Sequence, residues 1–330
     1  MDLELLEREL DEAGEPGYRA GQVWEWTAKG IRGYGEMTNL PAELRERLAE
    51  RVPLSSLTVA TESTADDGTR KALFRTGDDR PLEAVLMRFR DGRRSICVSS
   101  QSGCPLTCSF CATGQMQFGR NLTASEILDQ ALHFRRIEPV DHCVFMGMGE
   151  PMMNLDAVLA ACERLPDIGI THRRTTISTV GWVPGIRALT EQEMPIRLAF
   201  SLHAPDDALR SELMPVNDRY PLAEVLDACL EHHRVRRRKV FIDYVMLGGI
   251  NDRHEHAIRL AEILDPKVFK VNLIPYNPAP TTMASGFEGS TPKAIEAFRA
   301  ALAERGQPVT VRLTRGRDID AACGQLAAAA

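Results

Sequence analysis

Cys104-Pro-Leu-Thr-Cys108-Ser-Phe-Cys111 places three thiols on one short loop, with the spacing CxxxCxxC. Thiolates are soft ligands that suit both iron–sulfur clusters and zinc. Three of them with no fourth nearby favour a 4Fe-4S cluster that leaves one iron open to a small molecule. Structural zinc prefers a closed tetrahedron, usually built from two paired knuckles, and no second knuckle follows in the sequence. The spacing therefore predicts a catalytic iron–sulfur loop, with zinc and unliganded thiols as the alternatives.

From Ile96 onward, strands and helices alternate along the chain. Apolar runs predict strands at residues 95–99, 143–146, 175–179, 197–202, 240–246, 268–274 and 309–313, separated by segments with helical periodicity. Thr123-Ala-Ser-Glu126 is a capping box and predicts the start of one of these helices. About six βα units in succession imply a parallel sheet, either an open barrel or a doubly wound sheet.

The sequences that follow the predicted strands are rich in glycine and in short polar side chains. In a barrel, the loops at the carboxyl ends of the strands form the active site. Besides the cysteine loop (residues 104–111), four sequences fall at this rim: Gly147-Met148-Gly149-Glu150-Pro151, Ser178-Thr179-Val180-Gly181, Ser201-Leu202-His203 and Pro275-Tyr276-Asn277-Pro278. We expect the glycines to permit close approach of a ligand and the polar groups to contact its ribose and carboxylate.

The composition is that of a globular, mildly acidic protein. Of 330 residues, 44% are hydrophobic, and the formal net charge is −6. The first 50 residues hold 12 acidic and 6 basic side chains, so the remainder is neutral overall and leaves room for basic patches. No apolar run approaches the ~18 residues of a membrane span, and the acidic amphipathic start is unlike a signal peptide. Cys143, Cys162 and Cys229 fall on apolar stripes and are predicted core side chains.

Two sets of motifs resemble known families. The cysteine loop and the Gly147-Met148-Gly149-Glu150-Pro151 segment resemble the radical S-adenosylmethionine (SAM) superfamily. A more specific resemblance, to the RlmN family of 23S rRNA and tRNA adenine-C2 methyltransferases, lies in four segments: Cys97-Val-Ser-Ser-Gln-Ser-Gly-Cys104, Phe118-Gly-Arg-Asn-Leu122, Ser201-Leu-His-Ala-Pro205 and Arg315-Gly-Arg-Asp-Ile-Asp-Ala-Ala-Cys323-Gly-Gln-Leu326. Tyr18-Arg19-Ala20 and Met37-Thr38-Asn39-Leu40 extend the similarity to nearly the whole chain.

This resemblance implies an α/β fold, a partial (βα)6 barrel of the radical SAM type with a small all-α domain before it. Residues 1–55 would then form a helical accessory domain that contacts RNA. Residues 56–97 would form a β-rich extension. Residues 98–330 would form the radical SAM core, which ends in a loop carrying an S-methylcysteine.

The resemblance also implies a set of site residues. The 4Fe-4S ligands would be Cys104, Cys108 and Cys111. The SAM contacts would be Gly149, Glu150, Ser178, Ser201, Leu202, His203 and Asn277. Cys323 would carry the methyl group, Cys97 would resolve the intermediate through a transient disulfide with Cys323, and Glu83 would accept a proton.

The chemistry of adenine explains why a protein cysteine would be used. Carbon 2 of the ring is electron-poor and has no lone pair, so it cannot attack SAM directly. In the implied route, the Cys323 thiolate takes a methyl group from one SAM, and a radical generated from a second SAM removes a hydrogen from it. The resulting methylene radical adds to the base, Glu83 removes the proton at carbon 2, and Cys97 releases the product.

The implied substrates are 23S rRNA, in its peptidyl-transferase loop, and tRNA, at the adenosine 3′ of the anticodon. We expect a monomeric, cytoplasmic enzyme with no membrane partner and an electron donor of the flavodoxin or ferredoxin type. Basic segments predict the RNA contacts: Arg234, Arg236, Arg237, Arg238 and Lys239, and the pairs Arg93-Arg94, Arg135-Arg136 and Arg173-Arg174. The alternatives are an adenine-C8 methyltransferase of the same lineage and a zinc-stabilised RNA-binding protein without catalysis.

Overall fold

One large sheet organises the protein, whose computed structural model describes residues 1–278 and 286–327. The strands are β1 (Thr58–Thr64), β2 (Arg70–Arg75), β3 (Pro81–Arg88), β4 (Arg94–Cys97), β5 (Gln101–Ser102), β6 (Arg120–Asn121), β7 (His142–Phe145), β8 (Thr175–Thr179), β9 (Arg197–Ser201), β10 (Val240–Met246), β11 (Phe269–Pro275) and β12 (Val309–Val311). Ten of them form a sheet in the order β1-β2-β3-β4-β7-β8-β9-β10-β11-β12, and β5 pairs with β6.

The α-helices surround this sheet and connect its strands. They are α1 (Leu3–Glu12), α2 (Tyr18–Lys29), α3 (Ala42–Arg51), α4 (Ala124–Ile137), α5 (Leu155–Arg164), α6 (Val183–Glu191), α7 (Asp207–Leu213), α8 (Leu222–Arg236), α9 (His254–Ile263) and α10 (Pro292–Glu304). Within residues 1–278 and 286–327, no helix is both long and apolar enough to cross a bilayer.

The parallel half of the sheet confirms the predicted α/β architecture. Strands β4 and β7 to β12 pair in parallel, each with the next along the chain. Because each connection returns the chain to the same end, the carboxyl ends of all these strands meet at one rim. The capping box is also present: Glu126 N donates to Thr123 Oγ1 at 3.2 Å, and Thr123 N donates to Glu126 Oε2 at 2.9 Å.

Local side-chain hydrogen bonds explain where the structure departs from the predicted elements. The strand predicted at residues 95–99 ends at Cys97, because Ser99 N donates to Gln130 Oε1 at 2.8 Å instead of to β7. Helix α7 was not predicted, although Asp206 before it caps Leu209 N at 3.0 Å. A short polar residue at the start of seven helical residues is too weak a pattern to stand out in the sequence.

The three amino-terminal helices have a hydrophobic core of their own. Its buried members include Leu6, Leu10, Val23, Leu44 and Leu48. This core is distinct from the larger one around the sheet. The three-part division of the chain stays a prediction, and residues 279–285 and 328–330 of its last part lie outside the described residues.

Polar contacts fasten these helices to the rest of the protein. Trp24 Nε1 donates to Asp167 Oδ2 at 2.6 Å, and Arg136 Nη2 donates to Leu54 O at 2.9 Å. Asp129 on α4 is fully buried and accepts from both N and Oγ of Ser56 at 2.6 Å. It also pairs with the Met1 ammonium group. The Arg135-Arg136 pair predicted to contact RNA therefore contributes Arg136 to this internal junction.

Replacing Asp129 by Ala is expected to lower the free energy of unfolding by about 3–5 kcal/mol, because it leaves a buried ammonium group and buried donors without their partner. Denaturant unfolding measures the change. The control is Asp156→Ala on exposed α5 surface, for which we expect a change within about 0.5 kcal/mol. Equal effects of the two substitutions would contradict the proposed anchoring role of Asp129.

Candidate active site

The cysteine loop and the carboxyl-terminal loop (residues 312–327) are joined by direct hydrogen bonds. Ala112 N donates to Gly324 O at 3.0 Å, and Thr113 Oγ1 donates to Leu326 O at 2.6 Å. The two acceptors directly follow Cys323 in the chain, so these bonds fix its position beside the cysteine loop. The thiols at 104, 108, 111 and 323, separated by up to 219 positions in the chain, accordingly line one cavity.

This cavity lies at the carboxyl rim of the parallel strands and collects most of the predicted site residues. Those that line it are Cys104, Cys108, Cys111, Gly149, Glu150, Ser178, Ser201, His203 and Cys323. All eight cysteines of the chain lie within the described residues, and all are free thiols. The transient disulfide between Cys97 and Cys323 therefore stays a prediction.

The three loop thiols are buried in a setting that disfavours their ionisation when they are alone. Burial raises the pKa of Cys104 to about 12 and raises the pKa of Cys108 and of Cys111. At Cys108, the neighbouring thiolates raise the pKa further, whereas Arg210 lowers it. A bound cation would reverse this balance, since metal binding requires and stabilises the thiolate form.

The donor set consists of three thiols that line one cavity. A mononuclear zinc site takes its thiolates around one centre at about 2.3 Å from each sulfur. A 4Fe-4S cluster instead takes each thiolate at a different iron, so it suits three thiols spaced around a cavity.

The Gly149-Glu150 turn is shaped by close packing against the neighbouring strand. Gly149 has a φ of 94°, and a Cβ there would lie 2.5 Å from the Gln101 Cβ. Glu150 N donates to Gln101 Oε1 at 2.8 Å. The group that approaches Gly149 closely is therefore the Gln101 side chain of the protein itself. Its hydrogen bond to Glu150 N holds Glu150 at the cavity wall.

Glu150 is a buried carboxylate with both oxygens engaged. Oε1 accepts from Met152 N at 3.0 Å, and Oε2 accepts from Val180 N at 2.9 Å. Burial raises its pKa to about 7, and these backbone hydrogen bonds oppose the rise. The carboxyl group therefore ties the end of β7 to the end of β8 and places an ionisable group beside the three loop cysteines.

Short polar side chains from three neighbouring strands meet at the next part of the wall. Ser178 Oγ lies 3.3 Å from Ser201 Oγ. Asp243 on β10 is buried beside them and accepts from Asn272 Nδ2 at 3.2 Å. Burial raises the pKa of Asp243, while Arg312 lowers it. These hydroxyl and carboxylate groups can accept hydrogen bonds from the hydroxyl and ammonium groups of a polar ligand.

His203 is held in a left-handed backbone conformation at the end of β9, with a φ of 58°. Its Nδ1 accepts from Val245 N at 3.0 Å, so the proton of the neutral ring is assigned to Nε2. Burial lowers its pKa to about 3. The ring is therefore a neutral donor at the cavity wall, in edge contact with Phe110 of the cysteine loop at a centroid distance of 5.0 Å.

A smaller cavity adjoins the first and contains the remaining cysteine of interest. Cys97 and Asn277 line it together with Cys323 and Arg312, and the last two line both cavities. Burial raises the pKa of Cys97 to about 12, and Cys323 raises it further. Asn277 Oδ1 accepts from Arg317 Nη2 at 3.2 Å. The structure thus brings Cys97 and Cys323 to one wall, as a thiol exchange between them requires.

Two predicted residues lie outside the walls of these cavities. Leu202 is buried in the core, and its N–H donates to Asp243 O at 3.0 Å. Glu83 on β3 is buried, with Oε1 3.1 Å from Lys71 Nζ and Oε2 accepting from Ala327 N at 3.0 Å. Glu83 therefore contacts the end of the carboxyl-terminal loop that carries Cys323.

Sequence reasoning missed three charged residues at this site: Asp243, Arg312 and Arg210. Asp243 is the one charged side chain in the apolar strand β10, and Arg312 directly follows β12, so strand position could have indicated both. Arg210 on α7 is fully buried and donates to Leu202 O at 3.1 Å and to Asn217 Oδ1 at 2.7 Å. It also donates to Val180 O, so its partners include carbonyl oxygens just after β8 and β9, which no local pattern reveals.

Comparisons with known proteins agree with this geometry. The model of the radical SAM superfamily matches residues 98–261, and that of the ribosomal RNA large subunit methyltransferase N-terminal domain matches residues 1–54. A protein of Moorella thermoacetica named probable dual-specificity RNA methyltransferase RlmN is 44% identical, over 98% of this chain and 95% of its own length. A protein of the same name from Gemmatimonas aurantiaca is 47% identical, over 98% and 90%.

A solved structure extends the agreement to the whole fold. The radical SAM methyltransferase from Sphaerobacter thermophilus is 42% identical to this chain, with a TM-score of 0.93, and the match covers 100% of this chain and 98% of the other. Sequence identity over nearly the full length, together with the two family models, shows that the chain belongs to the RlmN family of the radical SAM superfamily.

Proposed function

We propose that the protein methylates carbon 2 of adenine in 23S rRNA and in tRNA, with the methyl group carried on Cys323. The observation that carries this proposal is the position of Cys323 in the cavity of the three loop cysteines. A carrier thiol must reach both a methyl donor at the cluster and the base. The two hydrogen bonds between the loops support that arrangement, and the names of the relatives support RNA as the substrate.

As a radical SAM enzyme, the protein uses a 4Fe-4S cluster and SAM. Cys104, Cys108 and Cys111 would hold the cluster, which supplies the electron that cleaves SAM when both are bound. Glu150, Ser178, Ser201 and His203 would bind and orient the SAM molecule from the cavity wall. The neutral His203 ring and the two hydroxyls offer donors, while Glu150 offers negative charge.

Cys323 acts as a nucleophile in the first half of the reaction. Its thiolate attacks the methyl group of a first SAM, a bond forms between the Cys323 sulfur and the methyl carbon, and the methyl–sulfonium bond breaks. S-adenosylhomocysteine leaves with the electron pair of the broken bond. Arg312 lines the same two cavities as Cys323. Cys323 is the main cause that raises the pKa of Arg312, and Asp243 and Cys97 raise it further. Its guanidinium group therefore stabilises a negative charge on Cys323.

Cys97 completes the second half by freeing the methylated base. Once Cys323 is joined to adenine through a methylene bridge, the adduct is a radical that would return one electron to the cluster, and Glu83 removes the proton at carbon 2 after Ala327 N leaves its Oε2. The Cys97 thiolate then attacks the Cys323 sulfur, and a disulfide forms as the sulfur–carbon bond breaks. The electron pair of that bond stays on the methylene carbon, which takes up a proton and becomes the methyl group of the product. A thiol reductant then supplies two electrons to restore both thiols.

The proposed partners follow from this chemistry. The target adenosine must leave its stack to reach a cavity at the strand ends. The electron for the cluster would come from a flavodoxin- or ferredoxin-type protein, and the enzyme would act as a monomer in the cytoplasm.

Replacing Cys108 by Ala is expected to abolish cluster binding, because two thiols cannot hold the cluster at three corners. The measurement is iron content and visible absorbance after anaerobic reconstitution. Cys229→Ala, in the buried face of α8, is the matched control and should bind iron like the unchanged protein. Equal iron in both variants, or a colourless unchanged protein that binds zinc, would contradict the proposed cluster site.

Replacing Cys323 by Ala is expected to reduce RNA methylation below detection, since carbon 2 then has no methyl carrier. Mass spectrometry of nucleosides from treated RNA measures the product, which should be 2-methyladenosine with the unchanged protein. Iron content should be retained, which separates this loss from damage to the cluster. Methylation by the Cys323→Ala variant would contradict the proposal. If the unchanged protein gave 8-methyladenosine, the methylated position would be carbon 8 and not carbon 2.

Replacing Cys97 by Ala is expected to trap the enzyme on its RNA, because nothing then attacks the Cys323 sulfur. A denaturing gel should show a slow band that ribonuclease removes. The double variant Cys97→Ala/Cys323→Ala is the control and should give no such band. Normal turnover by the Cys97→Ala variant would show that another group releases the product.

A further inference from the structure

Arginines gather at the amino ends of three adjacent parallel strands. Arg173 and Arg174 directly precede β8, and Arg197 begins β9. Arg236 ends α8, and Arg237 and Arg238 lie between α8 and β10. Because β8, β9 and β10 are neighbours in the sheet, their amino ends bring these side chains together. We call this group the basal arginine cluster; it lies on the face opposite the active-site rim.

Electrostatics confirm that the arginines of this cluster are close to one another. Burial lowers the pKa of Arg238, and three other guanidinium groups lower it further, namely Arg173, Arg197 and Arg236. Within residues 1–278 and 286–327, no carboxylate forms an ion pair with any member of the basal arginine cluster. Glu231, on the same helix end, pairs instead with Arg234 at 3.7 Å, and the other 21 ion pairs lie elsewhere. Arg236 Nη2 donates to Glu193 O at 2.7 Å, a neutral partner that leaves the positive charge of the cluster in place.

The neighbouring strands show the opposite arrangement. At the amino end of β4, Glu138 Oε2 lies 2.7 Å from Arg94 Nε and Glu138 Oε1 lies 2.5 Å from Arg88 Nη2. The arginines there are neutralised within the protein. The contrast on one face indicates that the uncompensated charge at β8 to β10 is a local feature rather than a property of all strand ends.

The backbone at Arg237 adds an independent observation. This exposed residue caps α8 in the left-handed conformation, with φ 55° and ψ 37°. Glycine is the favoured residue at such a position, because a Cβ carries a conformational cost there. An arginine that keeps this unfavourable backbone conformation within a cationic cluster is expected where its positive charge contributes to binding.

We propose that the basal arginine cluster is a second RNA-binding surface, which holds the phosphate backbone of the substrate RNA at a distance from the target adenine. This inference rests on the proposed function. A structured RNA is large enough to contact more than one face of the enzyme, and its phosphates match a cluster of exposed and half-buried guanidinium groups.

An acidic electron-donor protein fits this surface less well than RNA does. Strand β10 has 7 residues, and at about 3.3 Å per residue it separates the cluster from the cavity by roughly 20 Å. A redox partner must dock near the cysteine loop to deliver its electron. A polyanion that needs only a phosphate contact has no such requirement.

The test compares two double variants with the same change in net charge. One is Arg197→Gln/Arg238→Gln in the cluster, and the other is Arg259→Gln/Arg299→Gln on the outer helices α9 and α10. The probes are a full-length transcribed tRNA and a short hairpin that carries only the target loop. Binding is measured over a range of salt concentrations, and methylation of each probe is measured at saturation.

The cluster variant is expected to bind the full-length tRNA about tenfold more weakly than the control, with a salt slope shallower by about one to two. Its affinity for the hairpin and its maximal methylation rate should stay unchanged. Equal affinity and salt slope in the two double variants would overturn the proposal, as would weakened binding of an acidic flavodoxin without any change for tRNA. If the unchanged protein methylates neither probe, the proposed function fails, whatever the binding results.

Arg237→Gly separates charge from folding. The substitution removes a positive charge and relieves the left-handed backbone, so the melting temperature should stay equal or rise. We expect affinity for the full-length tRNA to fall nonetheless, by a few-fold. Unchanged affinity in this variant would count against the second RNA-binding surface.

Discussion

The contact between the carboxyl-terminal loop and the cysteine loop is the constraint on which this site depends. The hydrogen bonds to Gly324 O and Leu326 O bring Cys323 across more than 200 residues of chain to the cavity of the cluster cysteines. Each bond alone contributes about 1 kcal/mol. Their effect is geometric, because they confine a thiol to the one wall from which it can reach a bound SAM and Cys97.

The parallel sheet makes this convergence possible. Seven strands end at one rim, so residues that are far apart in sequence meet there without any long connecting structure. Glu150 shows how the rim is fixed: its carboxylate joins two strand ends through backbone N–H groups while it faces the cavity. Hydrogen bonds thus hold the part of the rim where SAM would bind, and the contact of Glu83 with Ala327 N lies at the carboxyl-terminal loop that carries Cys323.

Much of this arrangement was predictable from sequence, for identifiable reasons. The capping box at Thr123, the strand periodicity and the cysteine spacing are local patterns, and the carboxyl-end rule then gathers Glu150, Ser178, Ser201 and His203. The pairing of Cys97 with Cys323 came from family resemblance and not from any local pattern.

What sequence reasoning missed is set by distant contacts. Arg210 binds carbonyls at the ends of other strands, and Arg312 becomes significant only beside Cys323 and Asp243. The basic segments illustrate the same limit. They look alike in the sequence, yet Arg94 is paired with Glu138, Arg136 holds the amino-terminal helices, and Arg238 lies near three other arginines.

The most direct test of the central claim is peptide mass spectrometry of the reconstituted enzyme after incubation with methyl-labelled SAM, without RNA. The account predicts one labelled methyl group on the peptide that contains Cys323, and its transfer to RNA when RNA is added with reductant. A label that reaches RNA while the Cys323 peptide is never methylated would contradict the account.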